Sequence, residues 1–305
     1  MKTACILGAS GLAGSSIYRK LLASTEYTNV LTPSSKILDL REQKTVRSYF
    51  NNYKIDHVYL AAATVGGIMS NKTRKAEFIY DNLMIQTNVI DSAYRSGVGK
   101  LLFLGTSCIY PAGRQHPLKE EELLTGPLEP TNDAYAIAKI AGIKQCDFYR
   151  EQYGFDAFSL MPPNLYGPGD NYTNGGHVLA ALIERFHKAK IDKIDYVECW
   201  GDGTPMREFL YVEDLADACF YFMKNYFDGG HINVGTNTDI TIKELAETVA
   251  KVVGYKGKIG WDITKPNGNP RKLLDSTRAN ELGWKANTKL NDGIQTTYKE
   301  YLTHV

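Results

Sequence analysis

The short apolar run ACIL, Ala4 to Leu7, leads straight into GASGLAG, with glycines at 8, 11 and 14, and then into the helical pattern LAGSSIYRKLLA. A strand that must turn into a helix within so few residues constrains the fold more than anything else in this chain. Glycines at this spacing allow a tight turn, a close approach of backbone to a ligand, and a helix packed hard against its strand. The start of such a helix carries unpaired N–H groups that suit a pyrophosphate. Gly8, Ser10, Gly11, Leu12 and Gly14 are therefore candidate cofactor contacts. Glycine turns of this form also arise for packing reasons alone, so their company decides the matter.

That company is regular. HVYLAAA precedes AEFIYDNLMIQTNVIDSAYRSG, KLLFLG precedes AYAIAKIAGIKQCDFYREQYG, and AFSLMP follows. Short apolar runs alternating with helical patterns predict an α/β chain, a Rossmann-type doubly wound parallel sheet with helices on both faces. After Met161 the rhythm gives way to PPNLYGPGDNYTNGG and a looser region ending in NPRKLLDSTRANELGW. The expected division is a cofactor-binding domain over 1–163 and a smaller α/β substrate domain over 164–305. The segment REFLYVEDLADACFYFM reads as helical and as a return to the first domain near 205–226.

Tyr135 and Lys139 stand at i and i+4 in PTNDAYAIAKIAG, hence on one helix face. A phenol and an ammonium so placed can serve a ribose and a ketone together. Lys139 would hold the nicotinamide ribose and favour the phenolate of Tyr135, whose pKa is about 10 when unperturbed. Tyr135 would protonate the alkoxide formed as hydride reaches a carbonyl carbon, and Thr106, just past KLLFLG, would orient the carbonyl oxygen. After the second strand, where an acidic side chain would select NADH, the chain reads Leu31, Thr32, Pro33, Ser34, Ser35, Lys36. The absence of a carboxylate and the cation at Lys36 favour NADPH, with Asp39 nearer the adenine.

Composition excludes several other classes. With 35 basic and 34 acidic side chains among 305 residues, the chain has no general attraction for nucleic acid or anionic membrane. Cys5, Cys108, Cys146, Cys199 and Cys219 are scattered, without a CxxC, and there is no HExxH, so neither a zinc site nor a disulfide framework is expected. The opening MKTACILGASG lacks the long apolar stretch of a signal peptide, and a cytoplasmic enzyme is the expectation.

AAATVGGIMSN, FLGTSCIYP, EPTNDAYAIAKIAGIK, MPPNLYGPGDN, HVLAALIERFHKA, WGDGTPMREFL and KPNGNPRKLLD together resemble the extended short-chain dehydrogenase/reductases, and within them the GDP-L-fucose synthase family. The resemblance runs from Ile6 to the end. It implies NADPH-dependent reduction at carbon 4 of a GDP-4-keto-6-deoxy sugar after epimerisation at carbons 3 and 5. Epimerisation beside a ketone needs two acid/base groups, and the family pattern places them at Cys108 and His177. It also implies cofactor contacts at Leu40, Ala62, Pro162, Asn164, Leu165 and His177. GDP-sugar contacts follow at Ser107, Asn164, Arg185, Trp200, Arg207 and Lys272. A homodimer through a four-helix interface is implied, formed by the segments around 75–95 and 134–153. His116, His187 and the run Lys119 to Glu122 read as surface.

The chain departs from the family pattern at Thr64, where Lys is common, and at Thr106 (Ser), Pro163 (Thr) and Asn267 (Asp). The stretch between Asp170 and His177 reads one residue short. These departures leave open a carbon-4 reductase without epimerase activity on a related GDP-4-keto-6-deoxy-heptose. A third reading, from another class, is a non-catalytic NADP-binding sensor, against which the complete Thr106, Tyr135 and Lys139 set argues.

Overall fold

In the computed structural model, which describes residues 2–172, 176–265 and 267–305, the first strand and its glycine turn form as the sequence predicts. Strand β1 (Lys2–Leu7) buries Ala4 to Leu7, and the chain turns at Gly8, whose φ is +94°. A Cβ there would lie 2.6 Å from the Ala62 amide nitrogen, so only glycine fits. Gly14 is a packing glycine, since a Cβ at that position would collide with the Gly8 carbonyl. Helix α1 (Leu12–Leu22) follows, then β2 (Tyr27–Leu31), α2 (Gln43–Asn52), β3 (His57–Leu60), α3 (Ile68–Thr73), α4 (Lys75–Arg95), β4 (Lys100–Leu104), α5 (Asp133–Tyr153) and β5 (Ala157–Met161).

The strand order β2-β1-β3-β4-β5, all parallel, reverses direction between β1 and β3. In sheets of this kind ligands bind beyond the carboxyl ends of the strands at that reversal. Every residue of β3, β4 and β5 is buried, as a sheet covered on both faces requires. One face packs Val46, Phe50, Val89, Ile90, Ile140 and Ile143 from α2, α4 and α5.

The remaining chain runs through β6 (Asn164–Tyr166), α6 (Val178–Ile191), β7 (Tyr196–Trp200), β8 (Met206–Tyr211), α7 (Val212–Asn225), β9 (His231–Asn233), β10 (Asp239–Thr241), α8 (Ile242–Val253), β11 (Lys258–Asp262), β12 (Arg271–Lys272), α9 (Thr277–Glu281) and α10 (Leu290–Tyr301). Helix α7 joins α1 on the second face of the first sheet through Ile17, Leu21, Leu215, Cys219 and Phe222. Strand β9 extends that sheet beyond β5. Strands β6, β8, β10 and β12 form a second sheet, β7 pairs with β11, and α6, α8 and α10 supply a third core around Phe186, Val249 and Tyr298.

Two sequence expectations change. Met206–Tyr211 is a strand rather than the start of a helix, and α7 begins only at Val212. The strand burial places Phe209 and Leu210 in core and buries the Glu208 carboxylate, which accepts hydrogen bonds from the Leu274, Thr236 and Asn237 amides at 2.9, 2.6 and 2.9 Å. Within the run read as surface, Glu120 is buried and accepts from the Asn233 amide at 2.9 Å.

Candidate active site

A cleft of about 1530 Å³ opens where the sheet order reverses and runs to the second sheet. Its lining joins Gly8 to Leu12, the loop after β2, the β3 and β4 exits, the start of α5, and residues of α6, β7, β8 and β12. Thr106, Ser107 and Cys108 arrive on the turn after β4. The Cys108 amide donates to Thr106 Oγ1 at 3.3 Å, and the Ser107 amide donates to the Pro162 carbonyl at 3.0 Å, tying the exits of β4 and β5 together.

Tyr135 and Lys139 come from the first turns of α5, in the i, i+4 relation the sequence predicts. Lys139 is buried and donates to the Leu104 carbonyl at 2.8 Å, with its ammonium 4.5 Å from the Phe103 ring centre. Burial draws its pKa down to about 7. Burial also pushes the Tyr135 phenol up, and the nearby Cys108 charge adds to it. The expected lowering of Tyr135 by Lys139 is thus not seen in the protein alone. The ammonium is committed to the Leu104 carbonyl and lies 5.9 Å from the Tyr135 ring centre. A phenol that keeps its proton at neutral pH is the form a proton donor requires.

Cys108 is the other way round. Burial raises its thiol, but the Lys272 ammonium, hydrogen bonds from Thr106 and Lys272, and the charge of Arg207 outweigh that and hold it below the usual thiol range. Lys272 Nζ is 3.1 Å from the sulfur, and Asn132 Nδ2 is 3.3 Å from it. Asn132 went unnoticed in the sequence; its place three residues before Tyr135, at the N-cap of α5, was the available signal.

His177 caps α6, with Nδ1 3.7 Å from Asp170 Oδ1, and the Asp170 carboxylate raises its pKa. Asp170 Oδ2 is buried without a hydrogen-bond partner. The reading of a shortened stretch between these two residues falls on 173–175, which lie outside the described residues. Along the far wall, Arg185 donates to the Glu198 carbonyl at 2.9 Å and Arg207 to the Met206 carbonyl at 2.8 Å. Trp200 is 54% exposed, and Lys265 lies 5.9 Å from its ring centre. Asn164 lines the cleft while donating to the Glu208 carbonyl at 2.9 Å, and Leu165, Leu40, Ala62 and Pro162 line it as well.

At the opposite end the loop after β2 brings Arg41 to the cleft. Lys36 is exposed and is not part of the lining, whereas Arg41 is. Arg41 NH2 pairs with Asp39 at 2.8 Å and NH1 with Asp81 at 3.3 Å, while Thr64 Oγ1 donates to Asp81 at 3.0 Å. Hydrogen bonds from Arg41 hold the Asp39 carboxyl below its ordinary range. A dinucleotide fits the adjoining turn. Gly11 caps α1 without any side-chain bond, leaving the first-turn amides for an anion, and a Cβ at Gly11 would meet nothing nearer than the Gly8 carbonyl at 3.6 Å. No group of acidic, His or Cys side chains that could hold a metal occurs among the described residues, and no described helix is long and apolar enough to cross a membrane.

The sequence profile described as "NAD dependent epimerase/dehydratase family" matches residues 4–235. The chain belongs to that family. GDP-L-fucose synthase 1 of Arabidopsis thaliana is 53% identical over 98% of this chain and 93% of its own length. GDP-L-fucose synthase of Escherichia coli (strain K12) is 50% identical over 97% of this chain and 95% of its own. Among solved structures, a GDP-mannoheptose C4 reductase from Campylobacter jejuni with NADP bound is 35% identical, with a TM-score of 0.90, covering 99% of this chain and 98% of that one. The family and the Rossmann-type fold thus agree with the expectation drawn from the strand–glycine turn–helix start.

Proposed function

We propose that this chain is an NADPH-dependent epimerase/reductase that converts GDP-4-keto-6-deoxy-D-mannose to GDP-L-fucose. The observation that carries this reading is the pairing, in one cleft, of a proton-donor phenol at Tyr135 with a thiol at Cys108 held toward its anion by Lys272. A reductase needs the first; only an enzyme that also removes a C–H proton needs the second. The names of the relatives support the substrate class.

NADPH, when bound, supplies the hydride for carbon 4. Gly8, Ser10, Gly11 and Leu12 hold its diphosphate, Lys139 its nicotinamide ribose, and Arg41, rather than Lys36, its 2′-phosphate. Residues 1–163, with the return confined to α7 (Val212–Asn225) because β8 belongs to the second sheet, carry the cofactor, and the rest of 164–305 carries the sugar nucleotide. Arg185 and Arg207 have fork-shaped guanidinium groups for the GDP diphosphate, with Trp200 beside the base or sugar. Thr106 and Ser107 orient the ketone. Cys108 and His177 exchange protons at carbons 3 and 5 while the electron pair rests on the ketone oxygen. Tyr135 then gives its proton to the oxygen at carbon 4.

Arg41→Ala is expected to raise the KM for NADPH and leave that for NADH nearly unchanged, because the loss falls on the 2′-phosphate; steady-state kinetics with both cofactors tests this. An equal rise for both would move the 2′-phosphate contact elsewhere.

A second reading is favoured by one set of positions. Thr64, Pro163 and Asn267, where the chain leaves the family pattern, all line the cleft. A carbon-4 reductase of a GDP-4-keto-6-deoxy-heptose would keep Tyr135 and Lys139 and dispense with proton exchange. Retention of activity on GDP-4-keto heptoses by Cys108→Ser, with loss on neither carbon position, would favour it.

The enzyme works as a homodimer through α4 and α5. These helices pack on one another, and Tyr80, Ile137 and Phe148 on their outer sides are 60%, 47% and 57% exposed. An apolar surface of this kind on neighbouring helices suits a four-helix contact. Phe148→Glu is expected to convert a dimer to a monomer in light scattering; an unchanged mass would place the contact elsewhere.

A further inference from the structure

Lys272 lines the cleft, and its ammonium is engaged by a side chain of the protein itself. It lies on β12, which runs parallel to β8 so that Lys272 pairs with Arg207 across the sheet. Its neighbour Arg271 is committed, with Nε 2.6 Å from Asp239 and NH1 2.6 Å from the Gln115 carbonyl. The Lys272 ammonium instead meets the Cys108 sulfur at 3.1 Å, from a residue 164 positions away in the chain. The same sulfur receives Asn132 at 3.3 Å.

We propose that Lys272 is a positioning residue for proton transfer: it holds Cys108 as a thiolate, together with Asn132, and leaves the GDP diphosphate to Arg185 and Arg207. The inference rests on the reading of Cys108 as an acid/base group and assigns its regulation by a single cation. The two arginines are suited to the other task. Each donates to a main-chain carbonyl, of Glu198 and Met206 respectively, and a guanidinium has five N–H donors, so further ones remain for a phosphate.

The chemistry explains the arrangement. A thiolate that takes a proton from the carbon beside a ketone becomes a neutral thiol, while the C–H electron pair moves to the ketone oxygen. The cation beside it therefore stabilises the sulfur before the transfer, when the charge is on sulfur, and is free to favour the oxygen once charge has moved there. The other groups facing the sulfur are Arg207 from β8, the neutral Asn132 at the N-cap of α5, Tyr135 from α5, and Thr106 from the turn after β4. Lys272 makes the largest favourable contribution among them.

The remaining cysteines make the thiol directly measurable. Burial pushes Cys5 and Cys146 up to about 12 and raises Cys199 and Cys219, so near neutral pH iodoacetamide reads Cys108. The 305-residue chain is alkylated from acid to mildly alkaline pH, with Cys108→Ala as the blank, and GDP affinity is measured alongside by calorimetry. In Lys272→Met the alkylation midpoint is expected to rise by about 1–3 pH units, the usual effect of removing one nearby opposite charge. Lys272→Arg keeps the charge and is expected to restore most of the shift. A midpoint that moves in Met and returns in Arg upholds the proposal whatever happens to GDP binding. A midpoint that stays, with or without weaker GDP binding, overturns it and returns Lys272 to the nucleotide. Should Lys272→Met not fold, Lys272→Gln gives the same readout. The titration follows the sulfur without substrate, so it can fail while epimerisation stands, and the converse.

Discussion

Tyr135→Phe is expected to lower kcat for NADPH oxidation by about 10²–10⁴-fold, the usual contribution of one general acid. The substitution removes one oxygen and keeps the ring, which packs edge-on to Phe78 with centroids 6.4 Å apart, so fold and cleft should persist. Lys139 stays bonded to the Leu104 carbonyl and, on the proposed reading, still holds the ribose, so the KM for NADPH should change little. On the proposed reading, proton exchange at carbons 3 and 5 is left to Cys108 and His177 and should continue. Deuterium would enter the keto-sugar while NADPH goes unconsumed. Wild-type turnover in this variant would remove Tyr135 from the chemistry and reopen the sensor reading.

Cys108→Ala is expected to do the reverse to the early step. Deuterium incorporation should fall by about 10²–10⁴-fold, and turnover of GDP-4-keto-6-deoxy-D-mannose to GDP-L-fucose should fall with it, while binding of GDP and NADPH is preserved. The pH profile of exchange carries a sign that the two groups fix. Cys108 is held low by Lys272, so its thiolate is already present as pH rises toward neutral and is lost as pH falls through its pKa. His177 is held up by Asp170, so its protonated form persists to higher pH and is lost only above that value. Exchange measured by NMR against pH should therefore be bell-shaped. Asp170→Asn should draw the alkaline limb to lower pH, because the carboxylate that raises His177 is gone. An alkaline limb that does not move in Asp170→Asn would separate the two residues.

The parts of this molecule legible in the sequence are those set by neighbours in the chain. Ala4 to Leu7 and the strands His57–Leu60, Lys100–Leu104 and Ala157–Met161 were largely apolar runs, interrupted only by His57, Lys100 and Ser159, because the sheet is covered on both faces. Gly8 and the Tyr135–Lys139 spacing are local by nature. What stayed hidden depended on pairing at a distance. Met206–Tyr211 looked helical because it leads into α7 with no glycine or proline between, and nothing local reveals that Glu208 finds its donors on two other segments. Strand β9 is three residues long and joins the sheet beside β5 only through tertiary pairing. Lys36 was singled out by its charge, while the course of its loop places Arg41 in the cleft lining and Lys36 outside it. The Lys272–Cys108 contact follows from parallel pairing of β8 with β12, which no spacing in the sequence encodes.

The most direct test of the bifunctional assignment is to incubate the purified protein with NADPH and GDP-4-keto-6-deoxy-D-mannose in deuterium oxide and to read the product by NMR. The account predicts NADPH oxidation and GDP-L-fucose carrying deuterium at carbons 3 and 5. Oxidation with no deuterium at either carbon would contradict it and leave a carbon-4 reductase.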